Sequence, residues 1–418
     1  MSDSSLRVVI AGGGTGGHLF PGLAIAREIL ARRPDAVVTF AGTARGIEAR
    51  AVPAAGFELD TIRSLGLKGK SPVALARGVA TLPLSAVDAM GVIARRRPHV
   101  VIGVGGYSSG PIAMAAWLRR VPVLLHEQNA QPGLTNRLVA RVARAIALTY
   151  DQTSARFGEK SFVSGNPVRP QFLHVGPEPS GARRVLIFGG SQGAHAINMA
   201  VVEAASQLER ATPPPQVTHQ TGERDLAMVR EGLARAGLTA RVEPFLDRMD
   251  EEMSAANVIV CRAGSTTLAE IAAVGRAAIL VPLPTATDDH QRKNAEALSS
   301  AGAAELLEQR ELTGATLASR ILALLDDEPR RAQLAAAVKR FARPDAARVI
   351  VDRVLDIAKG QPAMKGPRGT ETGEAPGDQG ARREDTGSIR PTSNAERRDA
   401  SPVECSGLFI AGCKPAGA

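Results

Sequence analysis

The stretch VIVCRAGSTTLAEIAAVGRAAILVPLPTATDDHQRKN, Val258 to Asn294, decides the fold. Val258–Cys261 is a short apolar run of the kind buried on both faces of a parallel sheet. It turns at Gly264 into Ser265-Thr266-Thr267 and a helix that carries Glu270, so hydroxyls and backbone N–H groups gather at a helix N-terminus. Such a terminus favours anions. A second apolar run, Ala277–Val281, is stopped by Pro282 and Pro284, and the polar loop Asp288-Asp289-His290-Gln291 leads to the next helix near Asn294. Two neighbouring loops thus leave one edge of a parallel sheet, where open α/β sheets bind their ligands.

The same device recurs along the chain. Leu6–Ala11 reads as a strand, Gly12-Gly13-Gly14-Thr15-Gly16-Gly17-His18 as its loop and Pro21–Arg33 as the helix. Val100–Val104 leads through Gly105-Gly106-Tyr107-Ser108-Ser109-Gly110 into a helix over Ile112–Arg119, and Val185–Phe188 leads through Gly189-Gly190-Ser191-Gln192-Gly193 into a helix from about Ile197. Glycines let a backbone approach a phosphate or sugar closely. Gly12, Gly14 and Gly17 also match the G-x-G-x-x-G dinucleotide spacing, but the next strand, Ala36–Ala41, ends in Gly42-Thr43 without the acidic residue that holds an adenosine ribose. That counts against a nicotinamide oxidoreductase. The strand Val121–Leu125 ends in His126-Glu127-Gln128-Asn129, four hydrogen-bonding side chains whose position argues for function rather than packing. A helix over Leu134–Ala145 and a strand over Ala145–Leu148 close the first half, and helices over Leu317–Leu325, Arg330–Val338 and Ala346–Ala358 follow the second.

The chain of 418 residues therefore predicts two doubly wound Rossmann-like α/β domains, 1–163 and 171–359, joined by a hinge over 164–170. The final helix is expected to pack back on the first domain. Residues 360–418 are rich in Gly, Pro, Ser, Thr, Arg and Glu and read as a disordered tail. Three cysteines provide no disulfide framework, which suits a reducing cytosol. No stretch holds the ~18 charge-free apolar residues of a membrane span, so a soluble or peripheral protein is expected. The net charge of +9 is concentrated in residues 1–169, with 21 basic against 10 acidic side chains. Arg63–Arg97, which includes Lys68, Lys70 and Arg77, interleaves basic and apolar residues as a surface for anionic lipid does, although a solvated helix face carries the same pattern. With 3% aromatic residues and no nucleic-acid motif, a nucleic-acid partner is not expected. Asp288-Asp289 is an adjacent pair without further ligands, so neither metal nor cofactor is expected.

GGGTGGHLFPGLAIA, GVGGYSSGP, HEQNAQPGLTNR, SGNPVR, GGSQGAHAIN, HQTGE, FLDRM, CRAGSTTLAEIAAVG and DDHQRKNA resemble, in this order, the signature segments of the bacterial MurG-type N-acetylglucosaminyltransferases. The resemblance runs from about Leu6 to Ala358. It implies a GT-B fold and inverting transfer of N-acetylglucosamine from UDP-GlcNAc to the 4-hydroxyl of the N-acetylmuramoyl-pentapeptide unit of lipid I, giving lipid II. The implied place of action is the cytoplasmic face of the inner membrane, against anionic lipid and beside other cell-wall synthesis and division proteins. On the donor side it implies Ser265, Thr266, Thr267, Leu268, Ala269 and Glu270, with Glu270 on the uridine ribose. It also implies Leu246 at uracil, Gln291 on the sugar hydroxyls, and Ser191 and Arg169 on the diphosphate. Thr15, Gly16, Gly17 and Asn129 complete the site from the other domain. Gly105, Gly106 and Tyr107, with the basic Lys68, Lys70 and Arg77, fall on the acceptor and membrane side. For the base, His18 is the first choice, because imidazole titrates near neutrality, and Glu127 is its rival. The alternatives are another UDP-sugar transferase of this fold, a UDP-GlcNAc epimerase, or a sugar-nucleotide-binding adaptor without catalysis.

Overall fold

The computed structural model describes residues 5–64, 72–190 and 193–360. Lys68, Lys70, Ser191 and the tail from 361 onward lie outside the described residues, as does the side chain of Arg77.

The first sheet is built from β1 (Arg7–Gly12), β2 (Val37–Gly42), β3 (Glu58–Thr61), β4 (Val100–Gly105), β5 (Val123–Glu127), β6 (Ala145–Leu148) and β7 (Ser161–Val163). Their order in space is β3-β2-β1-β4-β5-β6-β7, every neighbouring pair parallel. The second sheet comprises β8 (Arg184–Phe188), β9 (Gln216–Gln220), β10 (Ala240–Glu243), β11 (Val258–Cys261), β12 (Ala277–Leu280) and β13 (Glu305–Leu306), in the order β10-β9-β8-β11-β12-β13 and again parallel. Successive strand residues point to opposite faces, so each strand must supply two cores. In β1, Val8 and Ile10 enter one apolar cluster while Val9 and Ala11 enter the other. In β11, Val258 and Val260 pack on one side and Ile259 and Cys261 on the other. Continuous apolar runs follow from that double burial.

Strand order reverses direction between β1 and β4 in one sheet and between β8 and β11 in the other. At each reversal the flanking connections run to opposite faces and leave a crevice at the carboxyl ends of the strands. The glycine loops after β1 and β4, Gly189 and Gly190 after β8 and the turn at Gly264 sit at those crevices. The helix Ala346–Ala358 crosses back to the first domain, where Ile350, Val351, Val354 and Ile357 join the core beside the helix Gly16–Arg32.

Three edge strands, β3, β7 and β13, were not legible as apolar runs. Their sequences, ELDT, SFV and EL, are short and partly exposed, as edge positions allow. The helix expected over Leu134–Ala145 spans only Leu134–Val139, because the chain must turn to enter β6 at Ala145. The first helix begins at Gly16 rather than Pro21, and it contains Pro21.

Candidate active site

At the first reversal the loops after β1 and β4 touch. Gly106 has φ +83, and a Cβ there would overlap the carbonyl of Gly13. Beneath the first loop lies a carboxylate that sequence reading did not single out. Glu48, on the helix Glu48–Ala54, is buried and accepts hydrogen bonds from Gly14 N (2.8 Å), Thr43 N (2.9 Å) and Thr43 Oγ1 (2.7 Å). Added Cβ atoms at Gly13, Gly42 and Gly46 would all collide with its carboxyl or its methylene group. Burial pushes the Glu48 pKa up, but these bonds outweigh it and hold the group below the ordinary glutamate range. One backbone N–H of the glycine loop, Gly14 N, is therefore already taken by the chain's own anion. Glu48→Ala should cost about 2–4 kcal/mol by orphaning buried N–H groups, read from the denaturant midpoint, and Glu48→Gln should recover part of the loss. An unchanged midpoint for the alanine variant would contradict this role.

The end of β5, which runs on through His126 and Glu127 instead of stopping at Leu125, is equally well organised. Glu127 is buried, and both oxygens are taken: Oε1 accepts from Asn129 N (3.0 Å) and Asn129 Nδ2 (3.2 Å), Oε2 from Gly133 N (3.0 Å) and Asn136 Nδ2 (2.9 Å). Burial raises its pKa and the four donors oppose the rise. His18, half-buried at the mouth of the first loop, approaches Gln128 Oε1 through Nδ1 at 3.2 Å. Burial lowers its pKa, the Gln128 bond opposes this, and His290 of the second domain lowers it further.

Three side chains of the second domain, Thr266, Asn294 and Asp288, reach the first domain across this edge. Pro21 has no N–H, so the Gly17 carbonyl one turn earlier lacks its helical donor. Thr266 Oγ1, at the N-terminus of the helix Ser265–Val274, donates to that carbonyl at 3.1 Å. Asn294 is fully buried; its Oδ1 accepts from Ala130 N at 2.9 Å and its Nδ2 donates to Asn129 Oδ1 at 3.1 Å. Arg137 faces Asp288 at 3.8 Å. The helix N-terminus at Ser265 thus stands against Gly17, the loop after β5 against the helix His290–Ser299.

At the hinge, Arg169 donates from Nε (3.1 Å) and Nη2 (2.9 Å) to the same oxygen, Oε1, of Glu270. Its guanidinium carbon lies 4.6 Å from the ring centre of Phe172 and 5.4 Å from that of Phe20. Glu270 is buried, which raises its pKa, while Arg169 opposes the rise. Leu246 is buried near this helix in the same apolar cluster as Leu268, and Gln291 Oε1 accepts from Leu283 N at 3.0 Å.

Of the residues singled out in the sequence, the structure gathers Thr15, Gly16, Gly17, His18, Gly105, Gly106, Glu127 and Asn129 at the first crevice, and Ser265–Glu270 and Gln291 on the facing domain. Tyr107 is exposed on the second loop, where its carbonyl accepts from Ser64 Oγ at 2.9 Å. Glu48, Gln128 and Asn294 were missed as individual positions. For Asn294 and Gln128 the signal was a polar residue inside an already notable segment; for Glu48 only the three-dimensional convergence of glycines reveals it.

Comparison with known proteins agrees with this architecture. Residues 8–148 match the glycosyltransferase family 28 N-terminal domain, and residues 184–350 match its C-terminal domain. The chain is 44% identical over 375 residues to the UDP-N-acetylglucosamine–N-acetylmuramyl-(pentapeptide) pyrophosphoryl-undecaprenol N-acetylglucosamine transferase of Anaeromyxobacter dehalogenans, covering 89% of this chain and 98% of that protein. It is 45% identical over 375 residues to the enzyme of the same name from Pelobacter propionicus, covering 84% and 99%. The crystal structure of Acinetobacter baumannii MurG superposes with a TM-score of 0.70 at 31% identity, covering 84% of this chain and 99% of that one. With both domains matched and the fold shared, the chain belongs to the MurG family of N-acetylglucosaminyltransferases, within glycosyltransferase family 28.

Proposed function

We propose that the chain moves N-acetylglucosamine from UDP-GlcNAc to the 4-hydroxyl of the N-acetylmuramoyl unit of lipid I, with inversion at the anomeric carbon. The observation that carries this reading is the meeting of two strand-reversal crevices, tied by Thr266 to Gly17 and Asn294 to Asn129. In the reaction the acceptor oxygen bonds to the anomeric carbon, and the bond from that carbon to the UDP oxygen breaks with its electron pair. The acceptor proton passes to a base. We assign His18 to that role, because a half-buried imidazole of lowered pKa is neutral at physiological pH, whereas both oxygens of Glu127 are already committed to the loop.

On the donor side, Glu270 Oε1 is held by Arg169, and Oε2 is the oxygen assigned to the ribose hydroxyls. Arg169, the Ser191 loop and the helix N-terminus at Ser265 are assigned to the departing diphosphate, a purely electrostatic stabilisation. Leu246 is assigned to uracil and Gln291 to the sugar. Thr15, Gly16, Gly17 and Asn129 close the site from the acceptor domain. UDP release that requires both UDP-GlcNAc and a lipid I analogue tests the reading, and release without acceptor would favour an epimerase.

Peripheral attachment to the membrane that carries the lipid acceptor belongs to the same proposal. Among the described residues no helix is long and apolar enough to cross a membrane. The helices Pro72–Arg96, Ser109–Leu118 and Leu134–Val139 pack side by side, and they expose Leu82, Val87, Met114, Trp117, Leu118, Leu134 and Leu138. Exposed Arg119, Arg120 and Arg141 border these groups. An apolar patch with a basic rim suits anionic headgroups over acyl chains. By contrast, Arg63 pairs with Asp88, and Arg95 and Arg96 pair with Asp60, so part of the Arg63–Arg97 charge is already compensated. Replacing Trp117 and Leu118 by glutamate should weaken binding to anionic vesicles by more than about tenfold, and added salt should weaken the unaltered protein. Equal binding to neutral and anionic vesicles would contradict the electrostatic part.

A further inference from the structure

The side chain of Gln128 is fully buried between two histidines. Its Nε2 lies 2.8 Å from the carbonyl oxygen of Val104, at the end of β4, and 3.2 Å from Nδ1 of His126. Its Oε1 lies 3.2 Å from Nδ1 of His18. These three contacts leave little freedom in where the protons sit. A carbonyl only accepts, so the amide must turn its NH2 toward Val104, and the same NH2 then meets His126 Nδ1. His126 Nδ1 therefore accepts, and the imidazole carries its hydrogen on Nε2, which donates to the carbonyl of Gly165 at 3.3 Å. Burial holds the His126 pKa down to about 4, in keeping with a neutral ring. The remaining end of the amide is an oxygen, which can only accept. The nitrogen opposite it, His18 Nδ1, must be the donor.

We propose that Gln128 is a positioning residue that locks His18 in the tautomer protonated on Nδ1, leaving Nε2 as its one basic nitrogen. The alternative tautomer would set the Nδ1 lone pair against the lone pairs of Oε1 at 3.2 Å, an uncompensated repulsion against an amide that is itself fully buried. The neighbouring backbone holds the ring in place as well: a Cβ on Gly105 would stand 2.7 Å from His18 Nδ1, so the imidazole lies directly against the loop after β4. One main-chain carbonyl thereby sets, through one amide, the tautomers of two imidazoles, and the string of bonds ends on Gly165 in the hinge. Besides His126, the titratable group that faces His18 is His290 on the opposite domain.

The catalytic consequence rests on His18 being the base; the tautomer itself does not. With Nε2 unprotonated, that nitrogen takes the proton of the acceptor hydroxyl as its oxygen bonds to the anomeric carbon, and the electron pair of the broken carbon–oxygen bond leaves on UDP. A ring of the opposite tautomer would have to rotate and break the Gln128 bond before it could do the same.

The test is nitrogen-15 NMR of the full-length protein labelled at histidine, recorded above the titration range of His18. The unaltered protein is expected to show His18 with Nδ1 protonated and Nε2 bare, and His126 with the reverse. In Gln128→Leu, which keeps the volume but removes both polar ends, His18 should lose its single tautomer, kcat should fall tenfold or more, and the affinity for UDP-GlcNAc should be unchanged. Gln128→Glu, which retains an acceptor toward His18, should restore the Nδ1-protonated form and move the acid limb of the pH profile upward. A His18 protonated on Nε2 in the unaltered protein, or an undisturbed tautomer in Gln128→Leu, would overturn the proposal. If the tautomer shifts as expected while kcat stays constant, the positioning stands and the assignment of His18 as base falls.

Discussion

His18→Ala should lower kcat by about 10²–10⁴-fold, the range that a positioned general base contributes, with UDP-GlcNAc affinity changed by no more than about twofold. The split between the two parameters follows from position: His18 sits at the mouth of the first glycine loop, on the domain opposite Glu270 and the helix Ser265–Val274 that the donor is assigned to. A pH profile gives an independent reading. Burial depresses the His18 pKa, so the base stays neutral further into acid than a free imidazole does, and the acid limb of kcat/KM should lie below that of a free imidazole. In His18→Ala that acid limb should disappear along with the rate. Glu127 offers a contrast. Because its carboxylate holds Asn129, Gly133 and Asn136 in place, Glu127→Ala should reduce stability as well as rate, and the two effects should not separate. A His18→Ala enzyme with unaltered kcat would remove the imidazole from the chemistry.

Arg169→Ala is the second substitution with a large expected effect, because it acts on two properties at once. The guanidinium neutralises a buried carboxylate and stacks on Phe20 of the first domain and Phe172 at the start of the second. Removing it strands the Glu270 charge, a change that costs about 3–5 kcal/mol for a fully buried pair. The Arg169 side chain is 27% exposed, so the lower end of that range applies. Glu270 should respond by taking up a proton at higher pH. Its folded pKa already lies above the ordinary value through burial, and the loss of Arg169 raises it further; the stability deficit of the variant should therefore shrink as the pH falls and the carboxyl is neutralised. For function, the donor KM should rise at least about tenfold, since both the diphosphate contact proposed for Arg169 and the orientation of the Glu270 carboxylate would be lost. Arg169→Lys should rescue little, because an ammonium cannot hold Oε1 through two parallel bonds or stack between two rings. If folded Arg169→Ala binds UDP-GlcNAc with unchanged affinity, the residue serves the hinge alone.

Much of this architecture was open to reading from the residues. Continuous apolar runs such as Val100–Val104 and Val258–Cys261 must be buried on both faces, and glycine loops at their ends announce strand-to-helix turns, so the two doubly wound domains followed directly. Edge strands escaped because ELDT and SFV need to cover only one neighbour. The start of the first helix escaped for a different reason. Proline ordinarily marks a first turn, but here Pro21 lies within the helix and the carbonyl it leaves open is taken by Thr266, about 250 residues away in the sequence. Local rules do not see that partner. The same limit applies to the site. The four polar residues His126–Asn129 were conspicuous as a group, yet only their bonds divide them into a loop anchor, Glu127, a relay, His126 and Gln128, and a cross-domain contact, Asn129. Glu48 lies in an ordinary helix beginning, EARAV, and its importance comes from three glycines that chain connectivity keeps apart.

The most direct measurement is UDP release from the purified full-length protein, given UDP-GlcNAc with and without a short-chain lipid I analogue, with UDP-glucose and UDP-GalNAc as donor controls. The account predicts release only when UDP-GlcNAc and the acceptor are both present, together with a disaccharide product linked through the 4-hydroxyl and inverted at the anomeric carbon. Release that is independent of the acceptor, or no release from a folded protein that binds UDP-GlcNAc, would contradict it.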